Sequence, residues 1–152
     1  MSEAHFVDTS ALVKRYIDEA GTRALDERCF SSDDVEIFVS SLACAESYAT
    51  FARLLRDGAL TTFEHQSIIA SFERDWLSFV VVEHGPLVRH LVPDLALAYS
   101  LRGADLVHLA TAVHLRAHHA LDLFVACDIR LSNAAVAFGL PLFNPELQLP
   151  QK

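Results

Sequence analysis

Short apolar runs alternate with longer segments of helical period along this chain, and no other feature restricts its fold as strongly. The runs cover residues 4–7, 35–39, 79–82, 123–126 and 140–145. Strands that alternate with helices are typical of a mainly parallel sheet with helices on both faces. We therefore expect a three-layer α/β/α domain. The run at 79–82 is predicted to be a buried strand, and the run at 140–145, which contains Pro141, a short edge strand.

The segments between the apolar runs predict the helices. They lie near residues 11–16, 22–29, 42–56, 61–77, 86–102, 104–115 and 128–138. Either Thr61 or Thr62 is expected to cap the fourth helix. Pro93 is expected to break or kink the fifth helical region, because proline has no amide hydrogen to donate. Gly103 is expected to end that region.

The segment 61–77 is strongly amphipathic. Its apolar positions are Phe63, Ile68, Ile69, Phe72 and Trp76. Much of this stripe is expected to belong to the core. Its aromatic content also suits a dimer interface or a groove for a partner helix. We predict that the free protein is a homodimer.

The charge balance separates the possible classes of partner. The 152 residues, a length typical of one domain, carry 12 basic and 20 acidic side chains, a net charge of −8. This balance argues against a protein that holds nucleic acid by a broad basic surface. It favours a local concentration of carboxylates that needs a cation or a basic partner.

The remaining composition bears on location. Three cysteines are too few, and odd in number, for a disulfide scaffold, which favours a reducing compartment. The first residues have no basic segment followed by an apolar one, so no signal peptide is predicted. No stretch approaches about 18 uninterrupted apolar residues, the length of a membrane-spanning helix. We expect a cytoplasmic protein that makes no contact with membranes.

Four acidic residues are the candidate functional group, called the acid cluster below: Asp8, Glu46, Asp105 and Asp128. Asp8 and Asp128 directly follow predicted strands, at the edge of an α/β sheet where ligands bind. Each acid also has a structural interpretation. The three aspartates can cap helices or sit in their first turn, although neither Asp8 nor Asp128 has the Glu or Gln three residues on that completes a capping box. Glu46 can be a solvated helix residue paired with Arg53 or Arg56.

If the four carboxylates converge, they repel one another unless positive charge is supplied. A hard divalent cation such as Mg²⁺ is the usual solution, because it accepts carboxylate oxygens and keeps coordination sites for water and phosphate. One or two such ions can activate a water and stabilise the leaving oxygen of a phosphodiester. Arg130, two residues after Asp128, is then either a phosphate contact or an ordinary surface residue.

Four blocks of sequence contain the acid cluster: FVDTSALVK at 6–14, AE at 45–46, GADLVHLATA at 103–112 and FVACDIRL at 124–131. These blocks resemble those of PIN domains, and more closely those of the VapC toxins of bacterial toxin–antitoxin pairs. They occur in the family's order and extend over nearly the whole chain. Any one block is weakly specific, whereas four in order are strong.

The resemblance implies an endoribonuclease that depends on Mg²⁺ or Mn²⁺, with the acid cluster as its catalytic and metal-binding residues. It places the hydroxyl of Ser10 near the metal or the scissile phosphate. Ala126 stands where many PIN domains have Thr or Ser, so this chain lacks a hydroxyl that would support a second metal ion. The resemblance also implies a VapB-like antitoxin that wraps the toxin and can place an arginine at the acid cluster.

Histidines and cysteines have less specific interpretations. His114 and His118 point away from Asp105 on a helix and have no Glu between them, so with His119 they are expected to form a solvated or interface surface rather than a zinc site. His108 shares the face of Asp105, and we expect it to support the site or to pack. Cys44 and Cys127 are expected to be small buried apolar residues.

Two other functions remain possible at this point. A phosphatase with an aspartate nucleophile would place a second aspartate two residues after Asp8, where this chain has Ser10. A PIN-like interaction module without catalysis would have no need for four repelling carboxylates. Both therefore fit the sequence less well than a nuclease.

Overall fold

A parallel sheet of five strands lies at the centre of the computed structural model, which describes residues 2–118 and 120–147. The strands are β1 (Glu3–Val7), β2 (Val35–Ser40), β3 (Val80–Val82), β4 (Leu123–Val125) and β5 (Leu142–Phe143). Their order is β3-β2-β1-β4-β5, and every neighbouring pair is parallel. The predicted fold class is confirmed, and the last strand lies at an edge as expected.

Seven α-helices connect the strands of the described chain. They are α1 (Thr9–Leu12), α2 (Thr22–Leu25), α3 (Leu42–Arg56), α4 (Thr62–Trp76), α5 (Pro86–Ala98), α6 (Gly103–Ala117) and α7 (Ile129–Phe138). A 3₁₀ turn (Val13–Arg15) extends α1, a π turn (Asp26–Phe30) extends α2, and a second 3₁₀ turn (Pro145–Leu147) follows β5. No helix within the described ranges has both the length and the apolar character to cross a membrane.

The helices cover both faces of the sheet, which gives the three predicted layers. Consecutive residues of β1 face opposite layers: Phe6 packs in the core beneath α5, α6 and α7, and Val7 packs in the core beneath α1 to α4. This alternation is the normal geometry of a strand that is buried on both sides.

Three details of the elements differ from the predictions. Of the break or kink expected at Pro93, the break does not occur, because α5 continues through this residue. Pro93 and Arg89, whose carbonyl would accept the missing bond, are both exposed, so water can replace that bond. The helix then ends at Ala98, and Gly103 begins α6 instead of ending α5. The strand β3 is half-buried, not buried, because it lies at the edge of the sheet.

The helix α4 begins with a capping box, in which Thr61 and Glu64 satisfy each other's backbone amides. Four of the five positions of its apolar stripe lie in the core or pack against it, as predicted. Phe72 is 1% exposed, whereas Phe63 is 77% exposed and the other apolar positions are half-buried. Between α3 and α4 lies a groove of about 350 Å³, lined by Cys44, Tyr48, Phe72, Glu73, Trp76 and Leu77. Cys44 is therefore a half-buried groove residue and not a buried one.

The strand order produces one point in the sheet where the direction of strand addition reverses. From β1 the chain builds β2 and β3 on one side, and then crosses to build β4 and β5 on the other side. The carboxyl ends of β1 and β4 are thus the topological switch point, where open α/β sheets bind ligands. Asp8 and Asp128 follow these two strands.

Candidate active site

Asp8 and Asp128 hold equivalent positions at the switch point, because each is the N-cap of the helix that follows its strand. Asp8 Oδ2 accepts a hydrogen bond from the amide of Ser10 at 3.0 Å, and Asp128 Oδ1 accepts one from the amide of Leu131 at 2.9 Å. Asp8 is 3% exposed. In each residue one oxygen forms the cap and the second is left for another partner. The capping interpretation is confirmed, and it does not exclude a functional one.

Ser10 joins the two ends of the site. Its hydroxyl donates to Asp8 Oδ2 at 2.6 Å and accepts from the amides of Cys127 and Asp128 at 3.0 and 3.2 Å. These bonds use the one donor and both acceptor positions of a serine hydroxyl. The geometry thus gives Ser10 a structural task, and the substrate contact expected of it would require one of these bonds to break.

Asp105 lies in the first turn of α6 and faces the same cluster of charge. Burial raises the pKa of its carboxyl, and the negative charges of Asp128 and Asp8 raise it further. The nearest cation, Arg102, is exposed and lies 3.8 Å from Asp105 Oδ2, which is too weak an interaction to reverse the shift. His108 also acts to lower the pKa of Asp105, but the two cationic side chains together do not reverse the effect of burial and of the other two aspartates.

Glu46 reaches the site from the middle of α3 and is held there by two donors. The Thr9 hydroxyl donates to Glu46 Oε1 at 2.8 Å, and His108 Nε2 lies 2.5 Å from the same oxygen. Arg53, the alternative partner considered for Glu46, pairs with Asp57 instead. Glu46 is half-buried. Because both bonds reach Oε1, Oε2 takes part in neither of them.

His108 connects Glu46 to Asp8. It is 1% exposed, and its Nδ1 lies 3.5 Å from Asp8 Oδ1. Burial acts to lower the pKa of His108, but the charge of Asp8 and the hydrogen bond to Glu46 outweigh burial and raise the pKa. Burial likewise acts to raise the pKa of Glu46, and the bond and charge of His108 together with the bond from Thr9 lower it.

The structure brings the acid cluster into one neighbourhood, connected through Ser10 on one side and His108 on the other. Carboxylates with unbalanced charge are the donors that a hard divalent cation prefers. Within residues 2–118 and 120–147, however, no three His, Cys, Asp or Glu side chains already converge as ligands of one ion. The donor chemistry fits Mg²⁺ or Mn²⁺.

The other candidates lie outside this cluster. Arg130 is exposed on the first turn of α7, beside Asp128. The rings of His114 and His118 lie 4.4 Å apart near the end of α6, and His119 lies outside the described residues. Cys127 is buried, as expected.

The sequence pattern of the PIN domain family matches residues 5–137, a range that contains the whole acid cluster. The chain belongs to the PIN domain family. Two relatives, Ribonuclease VapC45 and Ribonuclease VapC49 of Mycobacterium tuberculosis, are each 37% identical over 112 residues, which cover 71% of this chain and 74% of the relative. The resemblance to VapC proteins is therefore confirmed.

Solved structures show the same fold at lower identity. FitAcB from Neisseria gonorrhoeae has a TM-score of 0.68 at 18% identity and covers 95% of this chain and 99% of its own. VapC20 of Mycobacterium tuberculosis, described as a toxin that cleaves the sarcin-ricin loop, has a TM-score of 0.62 at 16% identity and covers 95% and 99%. VapBC2 from Rickettsia felis has a TM-score of 0.63 at 15% identity and covers 93% and 98%.

The structure adds one residue to this PIN domain site that the sequence analysis did not single out. Thr9 directly follows Asp8, and its hydroxyl reaches Glu46, which is 37 residues away in the chain. Its position after a site aspartate was the only available signal. The sequence also does not indicate that His108 pairs with Glu46, because the two residues are 62 positions apart and lie on different helices.

Proposed function

We propose that this PIN domain is a metal-dependent endoribonuclease and acts as the toxin of a toxin–antitoxin pair. The observation that carries the proposal is the set of carboxylates at the switch point, where the charges of Asp8 and Asp128 help to raise the pKa of Asp105. Such repulsion is unfavourable in a surface that only binds another protein, whereas in a cation site the bound ion offsets it. The names of the two ribonuclease relatives and the description of VapC20 support RNA as the substrate.

Mg²⁺ or Mn²⁺ is the proposed cofactor, and the acid cluster would hold it. Asp8 and Asp128 would contribute the oxygens that their caps leave free, Glu46 the oxygen not bonded to Thr9 and His108, and Asp105 its carboxylate. A bound divalent cation supplies an activated water and stabilises the leaving oxygen of a phosphodiester. Ser10 would hold Asp8 and the β4–α7 junction in place, and Arg130 would contact an RNA phosphate.

The proposal predicts that RNA cleavage depends on a divalent cation. The purified protein should cleave RNA with millimolar Mg²⁺ or Mn²⁺ and should lose this activity with excess EDTA, because without the cation the carboxylates of the acid cluster would repel the scissile phosphate. Gel analysis of end-labelled RNA measures the rate, and adding Mn²⁺ back after chelation provides the control. Cleavage that continues undiminished in EDTA would contradict the cation site.

An antitoxin is the proposed protein partner. The chain shares its fold with FitAcB and VapBC2, and a cluster of carboxylates suits an arginine side chain supplied by another chain. Co-expression with the product of a small neighbouring reading frame should yield a stable complex that does not cleave RNA. Full activity in a purified complex would contradict the proposal that the partner covers the acid cluster. The homodimer expected from the sequence stays a prediction.

A further inference from the structure

One buried imidazole lies between two carboxylates that different elements supply. His108 comes from α6, Asp8 from the end of β1 and Glu46 from α3. Nε2 lies 2.5 Å from Glu46 Oε1, and Nδ1 lies 3.5 Å from Asp8 Oδ1. Nδ1 is buried and has no hydrogen-bond partner among the described residues. The two nitrogens thus differ: one makes a short bond, and the other faces a carboxylate beyond hydrogen-bond distance.

The direction of the short bond follows from its acceptor. An ionised carboxylate only accepts hydrogen bonds, so Nε2 carries the hydrogen that points to Glu46. The Thr9 hydroxyl donates to the same oxygen at 2.8 Å. Two donors on Oε1 restrict the orientation of a long side chain, and Oε2 takes part in neither bond.

We propose that His108 is a positioning residue for the cation site: through Nε2 it holds the carboxylate of Glu46 at a fixed place relative to Asp8. This inference rests on the proposed function, because it concerns the ligands of the proposed cation. Residues that orient metal ligands by hydrogen bonds typically contribute about 10–100-fold to metal affinity. A residue that only fills the space beside Phe6, whose ring lies 6.2 Å from the imidazole, would not contribute in this way.

Two amide substitutions separate positioning from packing. The amide nitrogen of glutamine can occupy the place of Nε2, whereas that of asparagine occupies the place of Nδ1 and falls short of Glu46. We expect His108→Gln to bind Mn²⁺ nearly as the wild type does. We expect His108→Asn to bind Mn²⁺ about 10–100-fold more weakly and to lower kcat for RNA cleavage more than it raises KM. Calorimetric titration with Mn²⁺ alone measures the affinity without relying on catalysis.

His5 provides a matched control. It is also buried, its Nε2 also bonds to a carboxylate, Glu3, at 2.8 Å, and its Nδ1 also has no partner within the described part of the chain. It lies outside the acid cluster, so His5→Gln and His5→Asn should leave Mn²⁺ affinity within about twofold of the wild type, since neither touches a ligand. Thermal unfolding of all four variants identifies any that fail to fold.

A variant that leaves the imidazole intact keeps the test open if His108→Asn does not fold. Thr9→Val removes the second donor to Glu46 Oε1 together with a longer contact of 3.4 Å to His108 Nε2, and it should also weaken Mn²⁺ binding, though less than His108→Asn. Equal affinity in the wild type, Thr9→Val and the His108 variants that fold would overturn the positioning role. So would equal losses in the Gln and Asn variants, because volume would then be the cause. A wild type that binds no Mn²⁺ at millimolar concentration would overturn the cation site together with this role.

Discussion

Replacing Asp8 by Asn is expected to lower the rate of RNA cleavage at least about 100-fold while leaving the fold intact, because loss of a direct ligand should exceed the 10–100-fold effect of losing a residue that orients one. Asparagine keeps a side-chain oxygen that can accept the Ser10 amide, and it is as good an N-cap as aspartate. The substitution therefore removes the negative charge and retains the cap. Single-turnover cleavage of labelled RNA, together with circular dichroism, measures both outcomes.

The comparison variant for this prediction is Asp94→Asn, which removes the same charge from an exposed position in α5. It should cleave RNA at the wild-type rate. If Asp8→Asn and the wild type cleave at equal rates, Asp8 is not a metal ligand and its purpose is the cap alone. If both variants lose activity equally, net charge is the cause rather than the site.

The features of the fold that follow from local patterns could be predicted from the sequence. The helix α3 was expected at Leu42–Arg56 and occurs there. The burial of β3 was predicted wrongly, because three consecutive valines look the same in a central strand and at an edge. Only the strand order, which depends on contacts distant in sequence, places β3 outside β2. The prediction that Gly103 ends α5 was also wrong, because glycine can either precede or follow a helix. The helix α5 ends earlier, where Tyr99 adopts an extended conformation.

The candidate site likewise has some features that the sequence predicts and others that it does not. The positions of Asp8 and Asp128 after strands were visible, because parallel strands bring their carboxyl ends to one edge. The bonds that organise the site were not visible. Ser10 reaches amides 117 and 118 residues away, and His108 reaches Glu46 from another helix. Such pairings depend on how the layers pack, and no periodicity within a single segment encodes them.

Replacing Phe72 by Ala is expected to reduce the free energy of unfolding by about 3–5 kcal/mol, the usual cost of removing a buried aromatic ring. Phe72 is the only fully buried residue of α4 within the described chain. Its ring centre lies between 5.4 and 5.6 Å from those of Tyr16, Tyr48, Phe51 and Trp76. An alanine would leave a cavity in the middle of these rings and loosen α4 from α3 and from Tyr16. Urea denaturation followed by fluorescence measures the change.

The same substitution at Phe63, on the same helix, shows how much of that loss comes from burial. Because the side chain of Phe63 is mostly exposed, Phe63→Ala should change the free energy of unfolding by no more than about 0.5 kcal/mol. Similar losses in both variants would contradict the packing of α4 described here. A loss at Phe63 that grows with protein concentration would instead place this residue in an interface between two copies of the chain, because association stabilises the folded state by mass action.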